Sequence, residues 1–126
     1  MAGIDKVGRV MVPVADQDQA IGWYRDNLGF TVVADVPYGG GERWVEIAPP
    51  GGGASFALVP GRGDYQPGRN TGIGLETSDA RALHEQFTSQ GIEIDGDLMG
   101  GDGTVPPLFF FKDGDGNTLL VAEVPQ

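Results

Sequence analysis

One pattern occurs twice along the chain and limits what it can fold into: an acidic helix cap, an apolar stripe, a glycine stop, then three short apolar runs. In the first copy Asp16 caps a helix, with Gln19 three residues on as the partner of a capping-box-like pair. Ala20, Tyr24 and Leu28 supply the stripe, and Gly29 ends the helix as a residue able to take positive φ. In the second copy Asp79, with Ser78 as the other candidate, is the cap, Ala80, Leu83 and Phe87 are the stripe, and Gly91 is the stop. The two caps, like the two stops, stand sixty-odd residues apart. This is a repeat of architecture more than of residues.

The runs around each helix read as strands. Val7–Val14 is apolar and β-branched enough for a buried strand in spite of Arg9 and Pro13, and Phe30–Val36, Glu42–Ala48 and Ala54–Val59 follow the first helix. Pro60–Asn70, with two Pro and three Gly, is the connector. Thr71–Thr77 then precedes the second helix. Ile92–Ile94 opens the next strand, Gly96–Pro107 is a long loop that reads either as a lid over a cavity mouth with Met99 as an apolar contact or as a disordered connector, and Leu108–Lys112 pairs with Thr118–Val124. The fold class is α+β. Two βαβββ modules, about 5–60 and about 70–125, form one domain over 1–126, an incomplete curved barrel around a cavity with the helices on the outer face.

Composition narrows the function classes. A chain of 126 residues, 40% hydrophobic and 21% charged, can bury one core. Acids outnumber bases 18 to 8, and a net charge of −10 argues against nucleic acid and anionic membrane surfaces as partners while favouring cationic ligands. No cysteine is present, so disulfides, a thiol nucleophile and Cys-ligated zinc are excluded. The opening Met-Ala-Gly-Ile-Asp-Lys lacks the pattern of a signal peptide, and a cytoplasmic protein is expected. His84, the single histidine, falls one residue off the second stripe and reads as a solvated surface residue. Asp113-Gly-Asp-Gly-Asn117 begins like a calcium loop, but Thr118 and Val124 stand where Gly and Glu are needed, so it reads as a hairpin turn.

Four runs carry a resemblance: Val-Pro-Val-Ala-Asp at 12–16, Ala-Ile-Gly-Trp-Tyr-Arg-Asp-Asn-Leu-Gly-Phe at 20–30, Arg-Trp-Val-Glu-Ile-Ala-Pro-Pro-Gly at 43–51, and Phe-Phe-Phe-Lys-Asp-Gly-Asp-Gly-Asn at 109–117. In this order, over nearly the whole chain, they resemble the glyoxalase/bleomycin-resistance/extradiol-dioxygenase superfamily, the vicinal oxygen chelate fold. That group includes isomerases, lyases, dioxygenases and non-catalytic antibiotic-sequestering proteins, and fold alone does not choose among them. The resemblance implies one metal ligand on each of four strands. The four positions fall on Arg9, Glu46, Gly72 and Leu120, of which only Glu46 can bind a metal. No cofactor is therefore expected, with a divalent metal at Glu46 as the alternative.

If these four positions face the cavity, strand alternation brings Met11, Pro13, Glu42, Trp44, Gly74, Glu76, Thr118 and Ala122 to the same side, and sends Val10, Val12, Val14, Val45, Ile47, Ile73, Leu75, Leu119 and Val121 to the helices. Arg9 is then expected to replace the cation and pair with Glu46, converging with Glu76, while Gly72 and Gly74 leave room for a flat ligand against Trp44. An ordinary ion pair without a ligand, and Trp44 as a plain core residue, are the competing readings. Phe109 and Phe111 are expected in the sheet packing, leaving Phe110 for the cavity.

The expected function is a small-molecule binding protein resembling the drug-sequestering members, holding an aromatic, cationic compound through Trp44 and the charges of Glu42, Glu46 and Glu76. Arg9, Gly72, Gly74, Phe110 and Leu120 complete the ligand-binding candidates. The alternative is a lyase, isomerase or dioxygenase-like enzyme, with Glu46 as metal ligand or with Glu46 or Glu76 as general base and Arg9 polarising an oxyanion. Relatives of this kind imply a homodimer.

Overall fold

In the computed structural model, which describes residues 2–124, the chain forms two compact units, one ending at Pro67 and the other beginning at Gly68. Each is a βαβββ module. The first runs β1 (Arg9–Val14), α1 (Gln17–Leu28), β2 (Thr31–Gly39), β3 (Glu42–Ala48) and β4 (Ser55–Pro60). The second runs β5 (Asn70–Thr77), α2 (Ala80–Gln90), β6 (Ile94–Met99), β7 (Leu108–Lys112) and β8 (Thr118–Glu123). Both sheets are mixed, four-stranded and open, with the same topology: β1-β4-β3-β2 and β5-β8-β7-β6. In each, the first strand pairs parallel to the last and the other neighbours are antiparallel. No helix among the described residues is long and apolar enough to cross a membrane.

The helices begin and end on the expected residues. Asp16 accepts from the Gln19 amide and Asp79 from the Ala82 amide, each meeting one orphan donor of a first turn. Gly29 and Gly91 close the helices at φ 73° and 79°, where a side chain would be strained. Glu123 adds a second cap to α2, accepting from the Ala80 amide.

Alternation sorts most strand residues as expected, with Val10, Ile73 and Leu75 only half-buried. Val12, Val14, Val45, Ile47, Phe56 and Leu58 are buried with Ala20 and Tyr24 of α1, and the rings of Tyr24, Phe30 and Phe56 stand 5.2–5.7 Å apart. Burying side chains of this size contributes about 1.5–3 kcal/mol each. In the second module Phe109, Phe111, Leu119 and Val121 meet Ala80 and Phe87. Phe87 stacks edge-on to both buried Phe rings.

Two expectations are corrected. The segment from Gly96 is not loop at its start: β6 continues to Met99, because Ile94, Asp95 and Met99 find partners in Phe111, Phe110 and Leu108 across an irregular ladder. That ladder overrides the poor strand propensity of Asp95, Gly96 and Asp97. The remaining loop folds on itself, with the Gly101 amide donating to the Val105 carbonyl and Asp102 accepting from Thr104. His84 is not solvated: it is half-buried, its ring edge-on to Phe109 at 5.1 Å. Positions 80, 84 and 87 share one face of α2, so the stripe includes His84 as well as the half-buried Leu83.

The turn at Asp113–Asn117 is the expected hairpin. Asp113 accepts from the amides of Asp115 and Asn117, and Asn117, fully buried, accepts from the amides of Gly68 and Arg69. The start of the second module is thereby fastened to its last hairpin.

Candidate functional site

The face of the first sheet turned away from α1 carries the candidate site. Arg9 and Met11 come from β1, Ser55 from β4, and Glu42, Trp44 and Glu46 from β3, all at alternate positions. Ladder register explains how residues far apart in sequence meet: Arg9 pairs with Ser55, Met11 with Ala57, and Ala57 with Glu46. Ala57 is completely buried beneath this face, and its small side chain leaves the longer ones beside it room to come together.

Glu46 is the centre of the cluster and is only 9% exposed. Its Oε1 accepts from the Ser55 hydroxyl at 2.5 Å, and its Oε2 accepts from the Trp44 indole N–H at 2.6 Å and from Arg9 Nε at 3.1 Å. These bonds hold its carboxyl below the usual carboxylate range. Ser55 contributes most, Trp44 next, and Arg9 less, against the opposing effect of burial. The expected Arg9–Glu46 pair therefore exists, but as one arm of a three-donor arrangement. Ser55 was missed because the parallel β1–β4 pairing that brings it there joins strands at opposite ends of the module.

Beside this cluster lies an open groove of about 450 Å³. Trp44 and Tyr38 line it from the sheet, Met11 and Val59 from β1 and β4, and Arg62 and Tyr65 from the connector after β4. Glu42, at its rim, accepts from the Tyr38 hydroxyl at 2.5 Å and forms an ion pair with Arg62. Both partners lower its pKa, Tyr38 the more. The Tyr65 hydroxyl donates to the Met11 carbonyl, and Arg62 and Tyr65 bridge each other through their backbones. The connector expected to be only a link is thus one wall of the groove. Its signal in the sequence was the pair Arg62 and Tyr65 inside a Gly- and Pro-rich run.

The remaining candidates belong to the second module. Gly74, Leu120 and Phe110 lie in one line across β5, β8 and β7, and Glu76 is exposed two residues further along β5. Gly72 sits at a ladder irregularity with φ 71°, so the backbone itself requires glycine there, whether or not a ligand needs the space. Gly74 is different: an added Cβ would meet Leu120 at an ordinary 3.7 Å.

The donor set does not fit a metal ion. In the first module Arg9 offers no ligand atom and both oxygens of Glu46 are engaged, in the second Gly72 and Leu120 offer no side-chain ligand atom, and no group of three or more His, Asp or Glu suited to a metal occurs among the described residues.

Comparison with known proteins places these features in context. The family model described as the Glyoxalase/Bleomycin resistance protein/Dioxygenase superfamily matches residues 6–121. The chain is 32% identical over 124 residues to the uncharacterized protein YetH of Bacillus subtilis (strain 168), covering 95% of this chain and 99% of YetH. Among solved structures, TnmS3, an antibiotic binding protein from Streptomyces sp. CB03234, is 31% identical with a TM-score of 0.82 and full coverage of both chains. A glyoxalase/bleomycin resistance protein/dioxygenase superfamily member from Sphaerobacter thermophilus DSM 20745 is 28% identical, with a TM-score of 0.84 over 96% of this chain and 98% of that one.

Proposed function

The chain belongs to the Glyoxalase/Bleomycin resistance protein/Dioxygenase superfamily, and from that premise we propose that it is a metal-independent small-molecule binding protein whose first module holds a planar aromatic ligand against Trp44. The observation that carries this reading is the tethered indole. Its N–H is bound by Glu46, which fixes the ring on the groove wall beside Tyr38, Tyr65 and Met11. A rigid aromatic platform loses little entropy when a flat ligand stacks on it. The similarity to TnmS3 over the full chain agrees with a binding role.

Stacking on Trp44, and not attraction of a cation by the glutamates, anchors the ligand. Glu42 and Glu46, expected to attract a cation, are already paired with Arg62 and Arg9. The same engagement disfavours catalysis by Glu46, because a carboxylate held below its usual range with both oxygens accepting hydrogen bonds is a weak base. A second copy of the chain is the other partner in this reading, favoured by the exposed apolar Val33 and Val36 on the edge strand β2.

The test is a thermal-shift screen of planar aromatic compounds followed by calorimetry on wild type and Trp44→Ala. Binding weakened about fivefold or more in the variant is expected. Equal affinity for both proteins overturns the role of Trp44.

A further inference from the structure

Arg9 commits only part of its guanidinium. Its Nε–H reaches Glu46 Oε2 at 3.1 Å, whereas its two terminal nitrogens form no hydrogen bond or ion pair with any described residue, and its side chain is 52% exposed. Glu46 does not use Arg9 up, because Ser55 and Trp44 bind the same carboxylate at shorter distances. What Glu46 does is fix direction. Arg9 Nε and Trp44 Nε1 are hydrogen-bonded to one oxygen, so the terminal amino groups are held next to the indole on one face of the sheet. Met11, two residues from Arg9 on the same face of β1, already lines the groove.

We propose that Arg9 forms an anion-recognising subsite at the end of this groove, and that the ligand stacked on Trp44 carries an ionised oxygen, a carboxylate or its equivalent, bound by the terminal nitrogens of Arg9. The inference rests on the reading of the first module as an aromatic-binding site and adds the charge of the ligand. It reverses the preference that net charge suggests. A net charge of −10 sets only the distant field, while the groups that touch the ligand set selectivity at contact. Arginine suits the task because its planar fork matches the two oxygens of a carboxylate.

The test uses three probes with one ring system: 2-naphthoate, neutral 2-naphthamide and cationic 2-naphthylmethylammonium. Each is titrated into the full chain while NMR follows the Trp44 indole N–H, which detects weak binding and reports folding in the same spectra. Naphthoate is expected to bind about tenfold tighter than naphthamide, with the ammonium probe weakest. The ratio of naphthoate to naphthamide affinity falls to about one in Arg9→Gln and is partly kept in Arg9→Lys. Equal affinity of naphthoate and naphthamide, with both weakened in Trp44→Ala, overturns the anion subsite and leaves the aromatic site standing. Tightest binding of the ammonium probe also overturns it. If no probe perturbs the Trp44 signal at its solubility limit, the aromatic reading falls and the subsite with it.

Discussion

Arg9 and Trp44 donate to the same atom, Oε2 of Glu46, at 3.1 and 2.6 Å, although they stand on strands that are not neighbours. β4 lies between β1 and β3, and it contributes Ser55 to the other oxygen of the same carboxylate. One buried side chain thus ties three strands together on the groove face. Structural and ligand-binding roles coincide there, because the bonds that stabilise Glu46 also set the plane of Trp44 and the direction of Arg9.

Glu46→Gln keeps the shape of the side chain but replaces one acceptor oxygen with an NH2 group that faces donors. A loss of about 2 kcal/mol is expected from urea unfolding at neutral pH. The pH dependence has a definite sign. Glu46 titrates lower in the folded chain than in the unfolded one, so its contribution is complete above the ordinary glutamate value of 4.5 and is lost as pH falls below that toward the lowered folded value. The gap between wild type and Glu46→Gln therefore closes on acidification. A gap that stays constant from neutral pH down to the acid limb contradicts the three-donor description.

The repeat was legible in the sequence because its signals are local. Caps at Asp16 and Asp79, stops at Gly29 and Gly91, and alternation in β3 and β8 each depend on a few neighbouring residues. Arg9, Trp44 and Glu46 could be placed on one face by the same alternation. Ser55 and the Arg62–Tyr65 wall could not, since they reach the site through parallel strand pairing and through a connector whose path no local pattern encodes. β6 was shortened because Asp and Gly disfavour strands, whereas pairing with β7 was worth more than propensity. His84 was misplaced by one position on a helix where residues 83 and 84 both border the apolar face.

Gly72 and Gly74 separate backbone demand from space. Gly72→Ala forces a side chain into a φ of 71° with nothing within 4 Å to clash, so about 1–2 kcal/mol of backbone strain is expected. Gly74→Ala meets only Leu120 at an ordinary contact distance and should change stability by less than about 0.5 kcal/mol. Urea midpoints of the two variants decide it. Equal losses would contradict the claim that backbone conformation fixes glycine at 72.

Asn117 holds the hairpin turn to the segment entering β5. Asn117→Ala strands the amides of Gly68 and Arg69 and breaks the contact with Asp113, costing about 2–3 kcal/mol. Native-state hydrogen exchange should show those two amides losing protection in the variant. Unchanged protection would mean that the turn is held by other contacts.

The central claim is that an aromatic ligand lies on Trp44. The chain has two tryptophans, Trp23 on α1 and Trp44 in the groove, so Trp23→Phe leaves Trp44 as the sole indole reporter. Fluorescence of this variant, titrated with 2-naphthoate and with the strongest compound from the thermal-shift screen, reads the site directly. A saturable quench whose midpoint matches the calorimetric Kd is the predicted result. Calorimetric binding with no change in Trp44 emission would place the ligand elsewhere and contradict the account.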